Sequence, residues 1–265
     1  MIVIKKYAGL LVSFFRASAI SDLEYRLNIV GKVVTDIIWY AAQLSVFEVI
    51  FHQTPNLAGW TLDTMRVFMG VLFVVDSMWM LIFQENLDKL SEKVRKGELD
   101  LLLAKPVNSQ FMLSFQKFST PYVCNFFITI VYLGWALSTL PHPVGLERIA
   151  ILIFSLPCAL ATIYGLRFFF SASALIFTRA ENINYVWWQF YRLGMRPDAV
   201  YPPWLRFIVL SIVPVAFIAS VPSRLILEPL SPLLIGGSVV VACASVYAST
   251  RFWRFALRFY SSASS

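Results

Sequence analysis

Residues 94–111 read VRKGELDLLLAKPVNSQF, and the reading of the whole chain turns on them. Arg95, Lys96, Glu98, Asp100 and Lys105 crowd around a glycine and a leucine triplet, in a sequence that is otherwise mostly apolar. Gly97 suits a helix stop, because a residue without Cβ takes up the left-handed backbone that ends helices. Asp100 is placed to cap the short apolar turn that follows. Lys105-Pro106 breaks that turn, and Asn108 or Ser109 suits the cap of the next helix. Just upstream, Leu87, Leu90 and Val94 recur at helical spacing with charges between them. Three consecutive leucines do little for a solvated loop. The expectation is therefore a folded helix–turn–helix knob that docks on something.

The flanks of this segment are lipid-like. The chain has 265 residues, of which 58% are hydrophobic and 14% charged, and its mean hydropathy is +0.70. Soluble domains carry about a quarter charged residues. Apolar runs of about 20 residues are long enough to cross a bilayer as helices. Six can be drawn: 28–51, 62–83, 121–140, 149–177, 205–221 and 233–248. Pro121 stands at a first helical position behind Ser119 or Thr120, Pro157 lies inside the fourth run, and Pro214 kinks the fifth. The expected fold is an all-α integral membrane protein of one domain, 1–265, with the charged segment 84–118 between spans two and three. No internal repeat is visible, and low complexity is confined to the closing 261–265.

The N-terminal stretch 1–26 is amphipathic. Lys5, Lys6, Ser13 and Arg16 fall on one side of a helix; Ile4, Leu11, Phe14 and Phe15 fall on the other. Charges interrupt any signal-like apolar core, so a helix lying in the membrane surface is expected. Basic residues then orient the spans. Eighteen of the 22 Lys and Arg fall in four flanks: Lys5 to Lys32, Lys89 to Lys117, Arg179 with Arg192, Arg196 and Arg206, and the tail Arg251, Arg254 and Arg258. Only Arg66, Arg148 and Arg224 lie by the other side. Both termini are expected in the cytoplasm, and the net charge of +7 needs no nucleic acid to explain it. The tail alternates arginines with Phe252, Phe255 and Phe259, an interfacial anchor. Trp187 and Trp188 are expected to be interfacial anchors too.

Cys124, Cys158 and Cys243 sit inside apolar runs and suggest no disulfide framework. His52 and His142 lie apart beside prolines, too few for a metal site. No GxxxxGK[ST] phosphate loop occurs, and Gly31-Lys32 is followed by Val33. Ionisable groups at membrane depth are functional candidates. Asp76, Arg167 and the span-one stripe of Lys32, Asp36, Trp39 and Gln43 are therefore expected to line a substrate path or a subunit seam, or else to pair internally.

The 94–111 run resembles the signature loop of ABC-2 type transporter permeases, in the six-span subfamily once known as a domain of unknown function. The stretches YPPWLRFIVLSIVPVAFIASVP (201–222) and FWRFALRFYSSAS (252–264) resemble that subfamily as well; between Ala180 and Val200 little matches. The resemblance implies an exporter subunit of a bacterial inner membrane that moves a hydrophobic or amphipathic substrate. It also implies a paired second permease, identical or paralogous, and a separate ABC ATPase dimer that binds ATP and Mg. This chain would be neither an enzyme nor the holder of a cofactor. Arg95, Lys96, Gly97, Glu98, Leu99, Asp100, Leu101, Leu102, Lys105 and Pro106 would be the ATPase-coupling element, with charges setting register and leucines forming the anchor. A lipid-modifying membrane enzyme would want converging acids and histidines, which are scattered here; a membrane scaffold would need no polar path.

Overall fold

Thr61 opens the helix around which the others are arranged. Its backbone N–H donates to Thr64 Oγ1 at 2.9 Å, and helix α3 then runs over Leu62–Trp79. The structure, a computed structural model, describes residues 2–176 and 180–260. Ahead of α3 lie α1, Ile2–Glu24, and α2, Arg26–Gln53. After it come a π-helical turn, Met80–Gln84, and four short helices: α4 Glu85–Asp88, α5 Leu90–Arg95, α6 Glu98–Leu103 and α7 Ser109–Phe115. The chain continues through α8 Pro121–Ser138, α9 Leu146–Ala172 and α10 Ala180–Gly194. It ends with α11 Pro203–Phe207, α12 Ser220–Leu227 and α13 Pro232–Ala256. Among the described residues there is no strand, only a single bridge between Leu57 and Trp60.

Burial ranks these helices. The most apolar stretch of the helix that begins at Leu62 is 72% buried, whereas that of α2 is 6% buried. So α3 is the axis of the bundle, and α2 is an outer helix with most of its surface left for lipid or a partner. The tightest pairing is α9 with α13. A Cβ built on Gly165 would lie 2.4 Å from the backbone carbon of Ser245, so only glycine lets these two backbones approach so closely.

Among the described residues, five helices are long and apolar enough to span a membrane: Arg26–Gln53, Leu62–Arg95, Pro121–Ser138, Leu146–Leu175 and Pro232–Phe259. They match five of the six runs expected from the sequence. The remaining run, 205–221, is not a continuous span. It breaks into α11, a π-turn at Ile208–Ile212, a non-helical Val213-Pro214, a 3-10 turn at Val215–Phe217, and α12. Pro214 cannot donate a backbone hydrogen bond, and the helix does not survive it. Val215, Ala216, Ile218, Ala219 and Val221 are apolar because they are buried in protein.

Helix α10 carries the chain back along the bundle, from the end that holds the 84–118 segment toward the other. Near its start, Asn184 meets Arg167 of α9. Further along, Tyr191 meets Asp76 in the middle of α3. Beyond its end, Arg196, Pro197 and Val200 share a cavity with Ile50, Phe51 and Trp60. Fifteen helical residues cover about 22 Å, enough to carry the chain through most of the apolar layer. Asp198 then anchors the broken segment: its N–H donates to Ser220 Oγ at 2.8 Å, and its carboxylate pairs with Arg206 and Arg224. Arg192, Arg196 and Arg206 therefore sit toward the end of the bundle that holds Arg66, Arg148 and Arg224. They do not lie at the end with the 84–118 segment, as their sequence position suggested. Arg179 and 261–265 lie outside the described residues. The basic excess at the other end survives, carried by the N-terminal stretch, the 84–118 segment and the tail.

Tyr25 separates α1 from α2 with a non-helical backbone, so α1 is a helix of its own and not the first turn of a long span. It runs beside the 106–120 stretch. Lys6 Nζ donates to the Pro106 carbonyl, Ser18 accepts from the Phe118 N–H, and Asp22 accepts from the N–H and hydroxyl of Thr120. The α9–α13 contact gives a direct test of the packing. Gly165→Ala should destabilise the protein by about 1–3 kcal/mol through overpacking. Gly134→Ala, where a Cβ meets nothing within 4 Å, should not. Thermal unfolding in detergent measures both.

Candidate functional site

The 84–118 segment is folded onto the ends of the spans. Gly97 has φ 73°, the left-handed conformation a glycine tolerates, and it turns the chain between α5 and α6. Asp100 lies inside α6, so the residue ahead of that helix is Gly97 and not a capping aspartate. Asn108 does cap: its side chain accepts from the Phe111 N–H at 3.0 Å. Asn86 knits the two ends of the segment together. Its amide donates to the Ser114 and Lys117 carbonyls and accepts from the Lys117 N–H. Lys117 also pairs with Glu85 at 2.6 Å. From the tail, Trp253 Nε1 donates to Ser109 Oγ at 3.0 Å. Tyr260 stands by Asp100, and its phenol is raised above its ordinary value by desolvation and by that carboxylate.

This arrangement divides the expected coupling residues. Leu99 and Leu102 are buried within the chain itself, so they anchor α6 to the bundle and cannot also be the face offered to a partner. Leu101, 72% exposed, points outward with Leu103. Arg95, Glu98, Lys105 and Pro106 are exposed, and so is Lys96, which pairs with Glu92 at 2.6 Å. The result is a rigid surface with charge of both signs around a small apolar centre.

Above this knob lies a polar chain that the sequence only partly disclosed. Arg167 is 1% exposed. Its Nη2 donates to Asp88 Oδ1 at 2.6 Å and to Asn184 Oδ1 at 2.7 Å, and its guanidinium lies 5.9 Å from the Trp187 ring centroid. Trp187 is itself buried, so it shields a charge and is no interfacial anchor. Asp76, also buried, accepts from the Tyr191 hydroxyl at 2.6 Å. Asp76, Gln84 and Arg167 line one cavity of about 10 Å³. Asp76 Oδ2, Gln84 Oε1 and Arg167 Nη1 have no hydrogen-bond partner among the described residues. One water needs on the order of 10–15 Å³ and several polar neighbours; a single molecule there would join the aspartate to the arginine.

The span-one stripe is split. Asp36 accepts from Asn125 of α8 at 2.6 Å, and Lys32 reaches Ser119 at 3.5 Å. Gln43 and Trp39 instead line a larger cavity between α2 and α10. Asp76 and Arg167 thus converge, Asp36 lies on a separate helix contact, and Gln43 faces a different space. Tyr191, Asp88 and Asn184 were not singled out from the sequence. Their only signal there is polarity in or beside apolar runs, and α10 belongs to the stretch where the sequence resembled little.

The family model described as ABC-2 family transporter protein matches residues 37–264. The chain therefore belongs to the ABC-2 transporter family; it is a multi-pass membrane transport subunit and not itself an enzyme. The family as a whole works with an ABC ATPase. Neither curated proteins nor solved structures gave a match.

The Asp76–Tyr191 contact can be dissected. Tyr191→Phe leaves a buried carboxylate oxygen without its donor and should cost about 1–3 kcal/mol of stability, while removing both polar partners together is nearly neutral. Asp76→Leu combined with Tyr191→Phe should recover most of that loss in thermal unfolding. A double variant as unstable as Tyr191→Phe would place the main support of Asp76 elsewhere, on Gln84 and Arg167.

Proposed function

We propose that the chain is one permease subunit of an ATP-driven exporter in a bacterial cytoplasmic membrane. It would pair with a second permease, identical or paralogous, and carry a hydrophobic or amphipathic substrate. The observation that carries this reading is the ordered knob of α4 to α7. It is braced by hydrogen bonds to α1, to α9 and to the tail, yet it leaves Leu101, Leu103 and a ring of charges uncovered. Such a surface suits a protein partner: a few apolar anchors supply affinity and the charges select register. That partner is the ABC ATPase dimer, which would bind ATP and Mg; this chain would hold no cofactor.

Motion of the knob has a route into the bundle. Asp88 ends α4, and Arg167 joins it to Asn184 of α10. Displacement of α4 by the ATPase would therefore act on α9 and α10 together, and through Tyr191 on Asp76. Pro106 and the Lys6 contact stiffen the exit toward span three. In this orientation α1 lies in the cytoplasmic membrane surface with the tail arginines beside it.

Two experiments test the assignment. Leu101→Glu, at an exposed position, should abolish co-purification of the ATPase without altering the melting temperature of the permease. Leu99→Ala, inside the core, should lower stability by about 2–5 kcal/mol. Retained ATPase binding in Leu101→Glu would move the contact off this knob. In a background lacking Cys124, Cys158 and Cys243, Val200→Cys and Asn56→Cys should react with an impermeant thiol reagent in intact cells, and Ser91→Cys should not. The opposite pattern would invert the protein in the membrane.

A further inference from the structure

Between α2 and α10 lies a cavity of about 750 Å³, within the range of small-molecule sites. Its walls are aromatic, with Trp39, Phe47, Trp60 and Trp188 among the lining residues. Arg192 and Arg196 also line it, and no aspartate or glutamate does. The other arginines toward that end of the bundle are engaged. Arg66 has Glu48 and Asp63, Arg206 has Asp198, Arg224 has Asp198 and Glu228, and Arg148 donates to the Ile226 carbonyl. Arg192 and Arg196 form no ion pair with any described residue. Arg192 reaches the cavity from the last turn of α10 and Arg196 from just past its end, so both line the same space. Two guanidiniums without carboxylates, beside a wall of rings, suit an anion that carries an apolar body.

We infer that this cavity binds an anionic amphiphile, with Arg192 and Arg196 on the acidic headgroup and the aromatic wall against the acyl portion. Calling that amphiphile the substrate rests on the transport reading above; the binding itself does not. Gln43 and Gln189 add neutral polar groups along the same wall. Helix α2, which forms one wall, is little buried, so the site suits access from the side. A charged lipid can then enter without crossing the core of the bundle.

The tryptophans in the wall supply the assay. The purified permease, without ATPase, is titrated in neutral detergent with brominated phosphatidylglycerol or brominated phosphatidylcholine, and tryptophan fluorescence is read. The expected result is a saturable quenching component with the anionic lipid that the zwitterionic lipid lacks. Arg192→Gln with Arg196→Gln should weaken that component about tenfold or more, the scale of one charge-assisted hydrogen bond lost. The paired lysine variants should retain it. Arg251→Gln with Arg254→Gln, at the other end of the bundle, should leave it unchanged. Thermal unfolding checks that each variant is folded. Equal quenching by both lipids, or an unchanged component in the glutamine pair, overturns the proposal. Competition by inorganic phosphate alone overturns it too, since the site would then take a free anion. So does cross-linking of Val46→Cys to a second copy in a form that has lost the lipid component, which would make the cavity a subunit seam. Lipid binding without transport would leave this inference standing and count only against the exporter reading.

Discussion

The burial of one guanidinium, Arg167, dictates where three elements must meet. A guanidinium that is 1% exposed needs acceptors beside it, because a buried charge left unpaired is costly. Asp88 comes from the end of the long helix that begins as α3, Asn184 comes from α10, and the Trp187 ring closes the side. None of these could move independently without leaving a charge in an apolar interior. The same constraint brings α10 against α3, where Tyr191 finds Asp76. Two buried ionisable groups, costly one by one, face one small cavity and form a polar spine from the knob to the middle of the bundle.

That spine explains why the charged 84–118 segment is built as it is. A loop that only joined two spans could be disordered. Here Asn86 ties the segment's two ends, Leu99 and Leu102 plug α6 into the core, and Trp253 and Lys6 brace it from both ends of the chain. Rigidity of this kind costs conformational entropy, and it suits the proposed role of passing movement from a soluble partner to membrane helices. Family membership and the uncovered Leu101 support the same reading from independent directions.

The two ends of the bundle have different chemistry. At the knob end, charges are paired or exposed around a docking surface. At the opposite end, Arg66, Arg206 and Arg224 are held by carboxylates while Arg192 and Arg196 face an aromatic cavity. That cavity fits the proposed anionic amphiphile, because apolar chain and charged headgroup require different surroundings within a few ångströms.

The sequence by itself determined the class of molecule, five of the long spans, the helical knob with its turn at Gly97, and the candidacy of Asp76 and Arg167. Each of these rests on local chemistry: apolar length, a residue without Cβ, or a charge among hydrophobic neighbours. Tertiary structure alone decided what Leu205 to Val221 does. An apolar run looks the same whether it faces lipid or is buried in protein, and only packing showed that Pro214 splits it and that its buried half belongs to the core. The passage of α10 was hidden for the opposite reason. It packs against α9 and α3, so Tyr191 and Asn184 keep polar groups that a lipid-facing span would exclude, and no hydropathy window registers it. The same limit misplaced Arg192 and Arg196. Their side of the membrane depends on how many times the chain has crossed before them, which is a property of the whole fold and is not encoded near those residues.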